Sequence, residues 1–224
     1  MRSRGIPQSR ATPRRRAVGL GLVALFVPLM AGPAVARKKP PTPFTIVPAV
    51  GEATDVGAGA QEITVYREGL TATVSYVTGP IRRKIMEATL GIKGDPFATP
   101  PGEETRFHTF LVFLENGTGQ PLHMNPSVCR VLTDNEQFAY ARDYSSLYQA
   151  LHRTLTLDQI RKVAYDRPFI LAPEGRTKKL LVFEEIPGDR WEEFSLILTL
   201  ESDGIVAFDV PARFRKLYLE DPGE

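Results

Sequence analysis

The feature that most constrains the fold is an apolar period of two, which takes over near Glu62 and recurs as far as Tyr218. Successive side chains of an extended backbone point to opposite sides, so this period marks strands. Leu70, Ala72, Val74 and Tyr76 alternate with Thr71, Thr73 and Ser75. In RFHTFLVFLEN, Phe107, Thr109, Leu111 and Phe113 share one face, and His108, Phe110, Val112 and Leu114 share the other. Both faces are largely apolar, which predicts a central strand covered on both sides. Asn116-Gly117 then supplies left-handed turn chemistry to stop it.

Further strands are predicted at residues 128–132, 137–140, 179–186 and 194–200, with a last one or pair over 205–218. In FSLILTL, Phe194, Leu196, Leu198 and Leu200 form a core-facing row. Pro187-Gly188-Asp189 and Ser202-Asp203-Gly204 punctuate these runs with turn residues. Many short strands with regular turns predict an antiparallel β-sandwich. Cys129 is the one cysteine, so no disulfide can form within the chain and an apolar core must hold the domain.

One stretch, residues 143–165, breaks the pattern and predicts a two-helix insertion. Tyr144, Leu147, Tyr148 and Leu151 recur at helical spacing. Thr156, with Gln159 three residues on, has the form of a capping box opening a second helix. Leu157, Ile160, Val163 and Ala164 give that helix an apolar stripe. An excursion of this kind is expected to cover an open end or edge of the sheet.

The N-terminus has the three parts of an export segment. Arg2, Arg4, Arg10 and Arg14-Arg15-Arg16 form a basic start, an apolar run covers residues 17–30, and Ala34-Val35-Ala36 offers a small-x-small cleavage site. Residues 1–36 are therefore expected to be a signal peptide, which places the protein in the periplasm or outside the cell. The alternative is an uncleaved anchor, since residues 17–36 carry no charge and approach the span of a bilayer. Residues 37–60, opening RKKPPTP and continuing through VGEATDVGAGA, are expected to be a flexible linker, and 61–220 the sandwich domain.

Removing the export segment changes the charge. The chain has 28 Lys+Arg and 26 Asp+Glu, a formal net charge of +2. Six arginines and no acid fall in residues 1–36, so the remaining 188 residues carry −4. Binding to nucleic acid needs a basic surface to neutralise phosphates, and this balance argues against it. Membrane contact is expected only if the anchor is retained.

Four sets of residues could carry chemistry. His123, Met124 and Cys129 combine imidazole, thioether and thiol, a donor set suited to Cu(I), so copper binding is one alternative. Adjacent His123 and Met124 would nevertheless point to opposite faces of a strand. A hydrolase is a further alternative resting on His108, His123 or His152 with Cys129, yet the chain holds no G-x-S-x-G elbow and no H-E-x-x-H. No catalytic residue and no cofactor are assigned. Glu184-Glu185 and Glu192-Glu193 are carboxylate pairs whose ordinary role is a solvated surface. Tyr140, Tyr144 and Tyr148 with Arg142 form the densest polar-aromatic group, and Tyr144 and Tyr148 share a helix face. Such a group either packs onto the sheet or faces outward as a recognition surface.

Two segments carry a resemblance. LVFLENGTGQPLHMNPS, residues 111–127, and LAPEGRTKKLLVFEEIPGDRWEEFSLILTL, residues 171–200, resemble the strand-turn-strand pattern of immunoglobulin-like domains in exported bacterial proteins of unknown function. Together they span about a quarter of the chain after residue 36. The resemblance implies an immunoglobulin-like sandwich and brings no catalytic residues. The expected role is non-catalytic binding or assembly at the cell envelope, with another envelope protein as partner.

Overall fold

A computed structural model describes residues 44–49, 54–55, 61–99, 107–188 and 190–219. The predicted signal peptide lies outside the described residues. Two antiparallel sheets face each other across an apolar core, with helices on the far side of one of them.

The first sheet contains β1 (Phe44–Pro48), β6 (Leu122–Met124), β7 (Arg130–Thr133), β8 (Phe138–Tyr140), β9 (Phe169–Leu171), β11 (Glu193–Ser202) and β12 (Ile205–Tyr218). Its order is β1-β12-β11-β6-β9, and β7 pairs with β11 beyond β6 and carries β8 on its outer side. The second sheet runs β10-β5-β4-β3-β2, built from β2 (Thr54–Asp55), β3 (Gln61–Arg67), β4 (Leu70–Tyr76), β5 (His108–Asn116) and β10 (Arg176–Phe183).

The predicted central strand is β5, paired to β4 on one side and β10 on the other. Its inner residues Phe110, Val112 and Leu114 enter the core between the sheets. Phe110 is the hub: its ring lies 5.7 Å from Phe183 of its own sheet, 5.9 Å from Phe194 and 5.3 Å from Phe214 of the other. Edge-to-face and tilted contacts of this kind add to the area the rings bury. Trp191 closes one end of the core, 5.3 Å from Phe194 and 5.8 Å from Phe44, with the Lys216 ammonium 4.1 Å over its ring.

Several expectations are corrected. The linker assigned to residues 37–60 contains structure: Phe44–Pro48 pairs along β12, from Phe44↔Tyr218 to Pro48↔Phe214, and Thr54–Asp55 pairs with β3. Ile46 is buried there, so FTIVP has the strand alternation that the flanking prolines obscured. Of the one strand or pair expected over 205–218 the structure has one, which agrees with the first alternative; it is joined to β11 by a two-residue turn with Asp203 and Gly204 at φ 51 and 77. After β5, the left-handed residue is Gly119. Gly117 is needed for a close approach instead, because a Cβ there would stand 2.9 Å from the Gly69 carbonyl oxygen.

Three α-helices are present among the described residues: α1 (Gly79–Leu90), α2 (Tyr144–Leu151) and α3 (Leu157–Val163). The capping box at α3 forms as expected, with Thr156 and Gln159 bonding each other's backbone N–H groups at 2.8 and 3.4 Å. The helices cover a sheet face, and the last residues of the insertion also pair along the open edge of β10, where Ala164 bridges Leu180. Leu147, Leu151, Ile160 and Val163 join Met86 of α1 and the outward residues Leu180 and Val182 of β10 in a second core. Helix α1 was not foreseen. Its signals are punctuation: Pro80 in the first turn and Gly91 left-handed at φ 69 just past the end.

Candidate functional site

Between β8 and α2 the backbone bridges the two sheets, and the polar-aromatic group sits at that corner. Strand β8 ends at Tyr140, and Ala141 still donates its N–H to the Cys129 carbonyl at 2.9 Å. The next N–H, that of Arg142, donates to Val182 of β10 in the other sheet at 2.7 Å. Asp143 then caps α2, its Oδ1 accepting from the Ser146 N–H at 3.0 Å and the Ser146 hydroxyl at 2.7 Å. These hydrogen bonds from Ser146 hold the Asp143 carboxyl below its usual range and keep it ionised.

The Arg142 guanidinium meets the Glu184 carboxylate, which follows β10. A cleft of about 360 Å³ opens here, lined by Ser127, Tyr140, Arg142, Asp143, Glu184 and Glu185. A second hollow of about 250 Å³ shares Arg142, Ser146 and Glu184 and extends to Phe107 and Gln149. Glu184 and Glu185 both line the first cleft because β10 ends at Phe183, so strand alternation no longer separates them.

The tyrosines divide into two groups. Tyr140 is half exposed and its ring stands 5.5 Å from that of Phe138, itself 56% exposed. Tyr144 and Tyr148 stack along the flank of α2 with centroids 6.1 Å apart, and His152 continues the row at 5.9 Å. The Arg167 guanidinium lies 5.6 Å from the Tyr144 ring centre. Leu147 and Leu151 supply the buried stripe of α2, while Tyr148 remains exposed and Tyr144 half-buried. Tyr140 and Arg142 thus line the cleft, and Tyr144 and Tyr148 form a separate aromatic flank.

The copper donor set does not converge on one face. His123 of β6 is exposed and its neighbour Met124 points into the core. Cys129 is fully buried, with its thiol 3.7 Å from the Asn125 carbonyl and burial pushing its pKa up to about 12. Among the described residues no group of three or more His, Cys, Asp or Glu side chains could hold a metal.

The other carboxylates have local partners. Glu193 pairs with Arg213 at 3.0 Å, and Glu192 accepts from the Tyr218 hydroxyl at 2.7 Å. His152 caps the end of α2, with Nδ1 2.9 Å from the Gln149 carbonyl.

A buried polar network escaped the sequence reading. Arg82 of α1 bonds Asp95 at 2.8 Å through Nε, and its Nη1 reaches the Val77 carbonyl at 3.3 Å and the Thr109 hydroxyl at 3.2 Å. Nearby, the Tyr76 hydroxyl and His108 Nδ1 are 3.2 Å apart. Burial, then the Arg82 charge, lowers the His108 pKa to about 4, and burial raises that of Tyr76 to about 12. Its members come from β4, α1, β5 and the loop after α1, and no local spacing announces such a cluster.

No protein-family model and no curated protein sequence matches this chain.

Proposed function

We propose that this is a non-catalytic, exported binding or assembly protein of the cell envelope, with the sheet-crossing corner as its contact surface and another envelope protein as partner. The observation that carries the proposal is the pairing of half-exposed aromatic rings with fixed polar groups at one corner. Phe138 and Tyr140 stand beside a cleft bearing Arg142, Asp143, Glu184 and Glu185. Tyrosine offers large contact area at low entropic cost, and arginine beside it is the composition of energetic centres in protein interfaces.

Export is supported by the N-terminal segment of residues 1–36, and the −4 charge of the remainder speaks against a nucleic-acid partner. The immunoglobulin-like assignment is part of the same proposal. Two facing antiparallel sheets with Trp191 in the core support it, and the helices on the outer face of one sheet are this chain's addition.

The test is capture of partners from the envelope fraction by the wild-type protein and by a Phe138→Ala, Tyr140→Ala double variant. Capture of a discrete partner by the wild type, lost in a variant whose unfolding free energy changes by under about 1 kcal/mol, is the expected result. Undiminished capture by a folded variant sinks the proposal.

A further inference from the structure

A third cavity lies away from the Arg142 corner, at the open side between the edge strands β9 and β10. Residues after α3 are drawn against β10, with Ala164 bridging Leu180 and the Tyr165 N–H donating to the Leu180 carbonyl at 2.8 Å. This turns Tyr165 inward, where its hydroxyl donates to the Val112 carbonyl at 3.1 Å and lies 3.3 Å from the Thr177 hydroxyl. Its ring stacks on Phe169 of β9 with centroids 5.2 Å apart and an interplanar angle of 11°. A cavity of about 300 Å³ opens beside this stack, and its charged lining is Arg161, Asp166, Arg167 and Lys179.

The charges there do not cancel. Among the described residues Asp166 is the one carboxylate lining the cavity; it is 4% exposed, with Arg167 Nη2 at 3.5 Å and Arg161 Nε at 4.0 Å. Three cations face that single anion. Arg161 also reaches the exposed Asp158 through Nη1 at 3.3 Å, but its buried Nε has no hydrogen-bond partner among the described residues. Lys179 gives one hydrogen bond to the Arg161 carbonyl at 2.5 Å, and an ammonium has three to give. The site therefore combines an aromatic wall, surplus positive charge and unspent donors.

We propose that this cavity binds a small anion with a planar apolar body, an aryl carboxylate or aryl phosphate. The ring lies against the Tyr165–Phe169 stack, and the anionic group takes hydrogen bonds from Arg167 and Lys179. The volume sits at the lower end of ligand pockets, roughly 300–1,000 Å³, which fits one ring and its acid group. Guanidinium and ammonium donors suit carboxylate and phosphate alike, so the shared chemistry defines the ligand. The Arg142 cleft, with three carboxylates to one arginine among its lining, has the opposite balance.

The experiment is calorimetric and NMR titration of the whole chain with benzoate, phenyl phosphate, inorganic phosphate and benzyl alcohol. Benzoate or phenyl phosphate is expected to bind saturably and to shift Tyr165, Phe169 and Lys179 resonances, with benzyl alcohol at least about tenfold weaker, as befits loss of charge-assisted hydrogen bonds. Arg167→Gln and Lys179→Gln, two independent variants, should each weaken the aryl anion about tenfold, and Lys178→Gln, outside the cavity, should not. Phe169→Ala should weaken the aryl anions and leave inorganic phosphate unchanged. Which aryl anion binds tighter distinguishes carboxylate from phosphate as the natural group. Benzyl alcohol binding as tightly as benzoate, binding that survives both Gln variants in folded protein, or no saturable binding at millimolar aryl anion overturns the proposal.

Discussion

Two of the molecule's Arg–carboxylate pairs sit in opposite surroundings. Under α1, Arg82 and Asp95 meet with side chains 10% and 3% exposed. At the sheet-crossing corner, Arg142 and Glu184 meet with side chains 39% and 47% exposed. The buried guanidinium also serves Val77 and Thr109, and the second oxygen of Asp95 accepts the Phe97 N–H at 3.0 Å. Nearly every polar atom there has a protein partner, as burial of charge demands. The corner pair keeps much of its surface in water beside an open cleft. One pair fastens a helix and its loop to a sheet; the other leaves polar groups available to a partner.

The sharpest way to break this comparison is to remove one carboxylate from each place. Asp95→Ala leaves the Arg82 charge buried and unpaired, and should cost about 3–5 kcal/mol in urea unfolding. It also frees the Phe97 N–H, which loosens the loop carrying Phe97 against Phe107, 5.9 Å ring to ring. Glu184→Ala should cost under about 1 kcal/mol, because the guanidinium it leaves returns to solvent. Equal losses at the two sites would show that exposure does not separate them.

The next largest effect is a pH dependence between about 6.5 and 4 that comes from the buried side. His108 titrates near 4 in the fold against an ordinary 6.5, first because it is buried and then because Arg82 repels its proton. Between those values the unfolded chain holds a proton that the folded chain does not. Stability from this group is therefore complete above about pH 6.5 and is lost as pH falls toward 4, by up to about 3 kcal/mol. His108→Gln keeps a group able to meet the Tyr76 hydroxyl and removes the titration. From pH 7 through 5.5 to 4.5 the wild type should lose about 2 kcal/mol of unfolding free energy that His108→Gln keeps, and parallel curves would refute the assignment.

How much of this was legible follows from the range of each interaction. Strand β5 was plain, because nine consecutive residues carry a pattern that needs no partner to interpret. The α3 capping box was plain for the same reason, its two members being three residues apart. Strand β1 was obscured because its short alternation is set among prolines and its partner lies about 170 residues away in β12. The face covered by α2 and α3 was illegible too, since Leu180 and Val182 alternate with Leu181 and Phe183 and either set could have faced the sandwich. The sequence grouped Tyr140 and Arg142 with Tyr144 and Tyr148, and their separation depends on where the helix turns after Asp143. The Tyr165 cavity assembles residues from α3, β9 and β10, and only the folded chain brings them together.

The smallest predicted effect tests whether the corner pair is a handle or a clamp. In a double-mutant cycle of Arg142→Ala and Glu184→Ala, the coupling energy should be under about 1 kcal/mol, as for exposed ion pairs generally. It should shrink further when salt is raised to 1 M, where the screening length falls to roughly 3 Å. The Arg142 backbone N–H still bonds Val182 in both variants, so the chain's passage between sheets survives loss of either side chain. A coupling above about 2 kcal/mol that ignores salt would mean the pair is held as tightly as Arg82 and Asp95. The corner would then be a second fastening, and Glu184 could not be released to a partner without loosening the fold.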